Sequence, residues 1–252
     1  MASPSMTQAQ TDVYTCGMVP EHHDAKFVAQ HLAAYHYVRR WTAGKRVLEV
    51  GFGEGYGADY LAQVADEVVA LDVTEGNIPR AQERYPRPNL QFQLIQDGRF
   101  DAADASFDLV SSFQVIEHIP EPMIPEYLRE ICRVLKPDGI ACISTLNLDN
   151  AMKPGKPYTK LCYHEKEFTG PELDRLLRQF FPSVEMLGLY LTPAHRLFQR
   201  LKKWGMARLG PSTLNPVARF YSDVTVDDFR VRPGVNRAAL DLIAICRKTS
   251  AQ

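Results

Sequence analysis

An α/β fold built on a mostly parallel sheet is predicted for this 252-residue chain by three observations. A turn with glycines at 51, 53, 55 and 57 stands between the short apolar run Arg46–Val50 and an amphipathic segment, Tyr56–Val64. Further strand-like runs follow at 67–72, 90–95, 107–113, 140–145, 184–191 and 239–246, with helical patterns between the earlier ones. Runs such as Glu67–Asp72, apolar from Val68 to Leu71, suit interior parallel strands covered on both faces.

Taken in order, residues 1–12 are small and polar, the kind of terminal segment that stays mobile. Residues 13–23 carry Tyr14, His22 and His23, and either form a flap over a site or serve as an ordered lead-in. A helix starts after Asp24, its capping residue, with Phe27, Leu32, Tyr35 and Val38 expected on one face. The chain to residue 45 is thus an N-terminal segment and helix that can act as a lid. The main domain runs from 46 to 252.

In that domain the glycine turn joins the first strand to its helix. Glycine permits torsions closed to other residues and lets a ligand approach the main chain. The following helix start offers unpaired N–H groups to a polar or anionic small molecule. Asp72 closes the second strand, with Val73 beside it, about twenty residues past the first glycine, where a carboxylate can accept both ribose hydroxyls of a nucleoside. The bland role for Asp72 is to cap the helix after Thr74. The helix from Asn77 to Arg84 stops before Pro86 and Pro88, and Leu90–Ile95 alternates at period two. At its end, Asp97-Gly98 is a turn dipeptide in its plain reading. Phe107–Phe113 makes the fourth strand and runs into Gln114-Val-Ile-Glu-His-Ile119.

The phrase E-V-G-F-G-E-G at 49–55, Asp72, Asp97-Gly98, and F-D-L-V-S-S-F-Q-V-I-E-H-I followed by L-K-P-D-G at 135–139 together resemble the class I S-adenosylmethionine-dependent methyltransferases. The similarity covers about residues 45–147 and points to the small-molecule type, akin to ubiquinone-biosynthesis, sugar and natural-product methyltransferases. It implies a Rossmann-like seven-stranded, mostly parallel sheet with helices on both faces and the last strand antiparallel. It also implies S-adenosylmethionine as cofactor. Position by position, the backbone at Gly51, Gly53 and Gly55 would approach its methionine part, with Glu49 near the amino end. Asp72 and Val73 would take the ribose, Asp97 and Gly98 the adenine, and Phe113 and Gln114 the wall beside sulfur. A dinucleotide fold instead wants a third glycine where this chain has Tyr56, which disfavours an NAD-linked oxidoreductase.

Beyond the resemblance, 146–166 is a long polar loop at the carboxyl edge of the sheet, and long ordered loops are usually functional. Thr169 and Pro171 begin another helix. Residues 192–235 read as an insertion holding a basic amphipathic helix, His195–Trp204. Its apolar face either packs as a lid or dimer surface or meets a membrane or partner.

For chemistry, His118 and His164 are the candidate catalytic bases, because histidine titrates near neutral pH and both fall toward the same edge. The alternative for His118 is to orient the turn that follows it. His22 and His23 read as a surface pair, and His36 and His195 lie on helices. No cluster of carboxylates and histidines is evident in the sequence, so no metal site is expected. Net charge is −1, which gives no case for nucleic acid or an anionic membrane. The five cysteines are scattered without metal spacing, and no apolar run approaches the roughly 20 residues of a membrane helix. Without a signal-like N-terminus, the expectation is a cytoplasmic protein, compatible with a homodimer. The reading is methyl transfer to a small-molecule acceptor, at a hydroxyl oxygen of a sugar or natural product. The alternatives are C- or N-methylation of another metabolite, such as a quinone precursor, and a non-catalytic cofactor-binding subunit.

Overall fold

The computed structural model describes residues 23–152, 155, 157–209 and 214–248. Tyr14 and His22, and with them most of the proposed flap, lie outside the described residues. The chain forms a single sheet in the order β3-β2-β1-β4-β5-β8-β6-β7. Five strands run parallel: β1 (Arg46–Val50), β2 (Glu67–Asp72), β3 (Leu90–Leu94), β4 (Phe107–Phe113) and β5 (Leu135–Leu146). β8 (Asp241–Arg247) is antiparallel to both β5 and β6 (Ser183–Leu191). All seven expected strands are present, and the last is antiparallel. An eighth, β7 (Phe229–Pro233), pairs with β6 at the sheet edge, so part of 192–235 extends the sheet.

The chain order reverses between β1 and β4, and at such a switch point the carboxyl ends of neighbouring strands open a crevice. The crossovers α2 (Tyr56–Ala62), α3 (Asn77–Arg84) and α4 (Ile124–Val134) return the chain to start β2, β3 and β5. Lys136-Pro-Asp-Gly139 bulges out of β5. Phe107 pairs with Leu135 and Leu109 with Ile140, so this turn is absorbed into the strand start.

α1 (Ala25–Val38) begins at Asp24, whose side chain accepts from the Phe27 amide at 2.8 Å. Its buried face is Ala29, Ala33, Ala34, Tyr35 and Val38. Phe27 departs from the expected face. It is 40% exposed and packs between His23 and His31, because small alanines let the helix settle closely on the sheet one step around its axis. Among its described residues the long loop contains only a short turn, α5 (Leu148–Ala151), before α6 (Gly170–Leu177). In 192–235 lie α7 (Pro193–Lys203) and α8 (Pro216–Ser222). His195 is fully buried there between the rings of Phe220 and Phe229. Among the described residues no helix is long and apolar enough to cross a membrane.

Candidate active site

β1 ends at Val50, and the chain reverses through Gly51, Gly53 and Gly55 at φ of 80°, 55° and 86°. The Gly51 amide donates to the Leu71 carbonyl at 2.7 Å, tying the turn to β2. A Cβ at Gly51 would lie 2.4 Å from a Val115 methyl carbon, so only glycine fits where the turn meets the segment leaving β4. Asp72 locks the turn from the other side. One carboxylate oxygen accepts from the Gly53 amide and the other from the Thr74 amide, each at 2.8 Å. The helix that follows has Gly76 at its N-cap and no side-chain cap, so Asp72 braces the two turns rather than capping that helix.

Glu49, on β1, is 1% exposed. Its Oε1 accepts from the Tyr35 hydroxyl at 2.5 Å, while its Oε2 is buried with no hydrogen-bond partner among the described residues. Burial pushes this carboxyl up to about 8; the Tyr35 hydrogen bond opposes the shift and the Asp72 charge adds to it. A buried acceptor without a donor is costly, and a ligand ammonium placed against it would repay that cost. The corner thus fits the amino-acid end of S-adenosylmethionine. Tyr35 was not legible as a site residue, since its sequence position marks only a helix face. Here its ring also stands edge-on to Phe113, centroids 4.7 Å apart.

The other expected positions gather at the same edge. Val73 is 73% exposed beside Asp72. Asp97 (φ 52°) and Gly98 (φ 70°) form the exposed turn after β3. Gln114 (φ 57°) follows Phe113, and its amide donates to the Ser144 carbonyl at 2.9 Å.

A second group meets just beyond β4. The loop after β5 is stapled to the turn carrying His118, because the Glu165 and Lys166 amides both donate to the Glu117 carbonyl, at 2.7 and 3.1 Å. This brings the His118 and His164 rings to 4.9 Å. His118 Nδ1 donates to the Tyr163 carbonyl at 3.0 Å, and burial lowers its pKa. His164 Nδ1 lies 2.7 Å from Glu167 Oε1, both side chains buried, and Tyr158 donates to the other oxygen of Glu167. The expectation that no carboxylate–histidine cluster exists needs correction: one nitrogen from each histidine and an oxygen of Glu117 lie within 4.8 Å of one another. The sequence hid this because only the loop's return brings His164 to Glu117-His118.

Sequence reasoning also missed Asp241, the polar residue heading an otherwise apolar strand. It is 6% exposed, accepts twice from the Gln30 amide at 3.0 and 3.1 Å, and burial raises its carboxyl to about 7.

A family model for the methyltransferase domain matches residues 48–143, from β1 through β5. A probable S-adenosylmethionine-dependent methyltransferase of Mycolicibacterium smegmatis is 32% identical over 229 residues, covering 86% of each chain. The chain belongs to the S-adenosylmethionine-dependent methyltransferases. A ubiquinone biosynthesis O-methyltransferase of Ruegeria pomeroyi is 35% identical over 107 residues, 42% of each chain. Among solved structures, a methyltransferase of Thermotoga maritima described as a possible histamine N-methyltransferase superposes with a TM-score of 0.59. It covers 88% of this chain and 93% of its own at 16% identity, a likeness of fold alone. The methyltransferase therefore uses S-adenosylmethionine, and the orphaned Glu49 oxygen beside the glycine turn is where its structure shows the fit.

Proposed function

We propose that this enzyme transfers the methyl group to a hydroxyl oxygen of a small polar acceptor such as a sugar or related natural product. The observation that supports this reading is a cavity of about 390 Å³ at the carboxyl edge of the sheet. Lys26, Gln30, Asn147, Asn150, Tyr158 and Asp241 supply its polar wall. The Gln30 amide and the Tyr158 hydroxyl already donate to Asp241 and Glu167. An ammonium, an amide oxygen and the Thr159 hydroxyl beside Leu146, Ala151, Leu161 and Leu240 suit a small acceptor with a few hydroxyls on an apolar body. A second reading, a phenolic quinone precursor, draws on the partial match to a ubiquinone biosynthesis O-methyltransferase.

Bound at the glycine corner, S-adenosylmethionine supplies a sulfonium methyl that the acceptor oxygen displaces in line, the C–S electron pair staying on sulfur. The chain's own part is to align the oxygen and draw off its proton. Phe113 and Gln114, which we take as the wall beside the cofactor sulfur, come directly before Glu117 and His118 in the chain. His164, held by Glu167, lies against His118 with ring centroids 4.9 Å apart.

The test is release of S-adenosylhomocysteine with free and nucleotide-linked sugars, catechols and primary amines as acceptors. Turnover of hydroxyl acceptors is expected, and turnover of amines alone would overturn the reading. In His118→Ala, kcat is expected to fall at least tenfold with S-adenosylhomocysteine affinity unchanged, since proton-handling groups typically contribute about 10²–10⁴-fold. A smaller loss would remove His118 from the chemistry.

A further inference from the structure

We propose that Glu117, His118 and His164 form a binding site for a borderline divalent transition cation such as Zn²⁺, Co²⁺ or Mn²⁺. Three observations converge on it. The donor atoms of these residues come within 4.8 Å of one another. Bonds of about 2.0–2.2 Å at tetrahedral angles to a shared cation would bring such atoms to about 3.3–3.6 Å, a closure of up to about 1.5 Å for side chains on a turn and a loop.

The second observation is the state of the two imidazoles. A carbonyl can only accept, so His118 Nδ1 carries its proton toward Tyr163, and Nε2 keeps its lone pair. His164 is held in the same way by the Glu167 carboxylate. A ligating histidine characteristically gives its other N–H to a carboxylate or backbone carbonyl, which fixes tautomer and ring direction. Both histidines have that arrangement, one with each kind of partner.

The third is an orphan. Glu117 is 1% exposed, and its Oε2 is buried with no hydrogen-bond partner among the described residues. The Thr145 hydroxyl approaches this carboxyl but makes no bond of normal geometry to it. A buried carboxyl oxygen without a donor, beside two imidazoles, is a position that a cation would satisfy.

Two imidazoles and one carboxylate select borderline transition cations, whereas Mg²⁺ favours oxygen ligands and retains its waters. Three protein ligands leave coordination positions open, as catalytic rather than structural sites do. The use of the site rests on the proposed O-methylation: a cation here would hold the acceptor oxygen and lower its pKa so that its proton leaves to water, and the loss in His118→Ala would then come through the lost cation ligand rather than a lost base. The existence of the site does not depend on that reading.

The test is titration of the chelator-stripped full-length protein with Co²⁺, followed by visible absorption. One saturable equivalent is expected, displaced by Zn²⁺ and unaffected by excess Mg²⁺. Glu117→Gln and His118→Ala should each weaken binding at least tenfold, and Glu167→Gln by about 10–100-fold through loss of His164 orientation. Retained S-adenosylhomocysteine binding would show that these variants fold. The double variant His22→Ala/His23→Ala should bind as the wild type does. Absence of saturable binding, or binding that survives His118→Ala/His164→Ala, would overturn the site. Methylation of a hydroxyl acceptor that persists without any cation binding would overturn the site and leave the acceptor reading intact. Cation binding in a protein that methylates no hydroxyl would support the site and overturn the acceptor reading.

Discussion

Alanine in place of Gly51 is expected to lower the melting temperature by about 5–15 °C, taking roughly 2–4 °C per kcal/mol for a chain of this size. Two costs add. At φ 80° an L-residue occupies the left-handed region, at about 1–2 kcal/mol. Its methyl would also sit 2.4 Å from a Val115 methyl carbon, and relieving that overlap costs about 1–3 kcal/mol. Moving the turn also misplaces the Gly53 amide held by Asp72, so S-adenosylhomocysteine affinity should fall with stability. Adding Val115→Ala removes the overlap but not the torsional cost, and should return about half of the lost stability. Thermal melts of the two variants check this, and a melting temperature unchanged in Gly51→Ala would contradict the packing described for the turn.

The second large effect concerns the Glu49 carboxyl. Raised by burial to about 8, it is mostly protonated in the free protein at neutral pH. A carboxyl whose folded pKa lies above its unfolded value is an ionisation burden on the fold. Its penalty is absent below the unfolded value, grows from about pH 4.5 to 8, and is constant above that. A bound ammonium reverses the preference by favouring the ionised form. S-adenosylhomocysteine should therefore bind more tightly as pH rises from 6 to 8, by up to about tenfold per unit. Calorimetry at pH 7 in buffers of different ionisation enthalpy should show close to one proton released per molecule bound. Tyr35→Phe removes the hydrogen bond that lowers this pKa, and should move the profile to higher pH. Glu49→Gln should flatten it and weaken binding at pH 8. A pH-independent affinity in the wild type would show that Glu49 does not meet the ammonium.

Where chemistry and backbone constraint coincide locally, the chain announced its structure. The glycine turn, Asp72 at the end of β2 and the apolar runs of β1, β2 and β4 depend on near neighbours. Each was readable from spacing. Tyr35 and Asp241 were not, because their partners Glu49 and Gln30 reach them only through tertiary packing of α1 and β8; Glu167 stands only three residues from His164, but in an aperiodic loop nothing marks the pair. Glu117 stood in a motif already singled out, yet its significance appears only when the loop returns His164 beside it. β7 escaped notice because Phe229–Pro233 ends in proline and alternates with arginines, the composition of an exposed edge strand. Phe27 was misplaced because three alanines, too small to dominate a periodicity argument, define the buried face of α1.

Calorimetric titration with S-adenosylhomocysteine, alongside NADH and the Asp72→Ala variant, tests the central claim most directly. Asp72 holds the glycine turn through the Gly53 amide, and we propose that its carboxylate takes the ribose. The account predicts micromolar one-to-one binding of S-adenosylhomocysteine to the wild type, at least a hundredfold weaker in Asp72→Ala, and no binding of NADH. Binding of NADH without S-adenosylhomocysteine, or an affinity indifferent to Asp72, would contradict it.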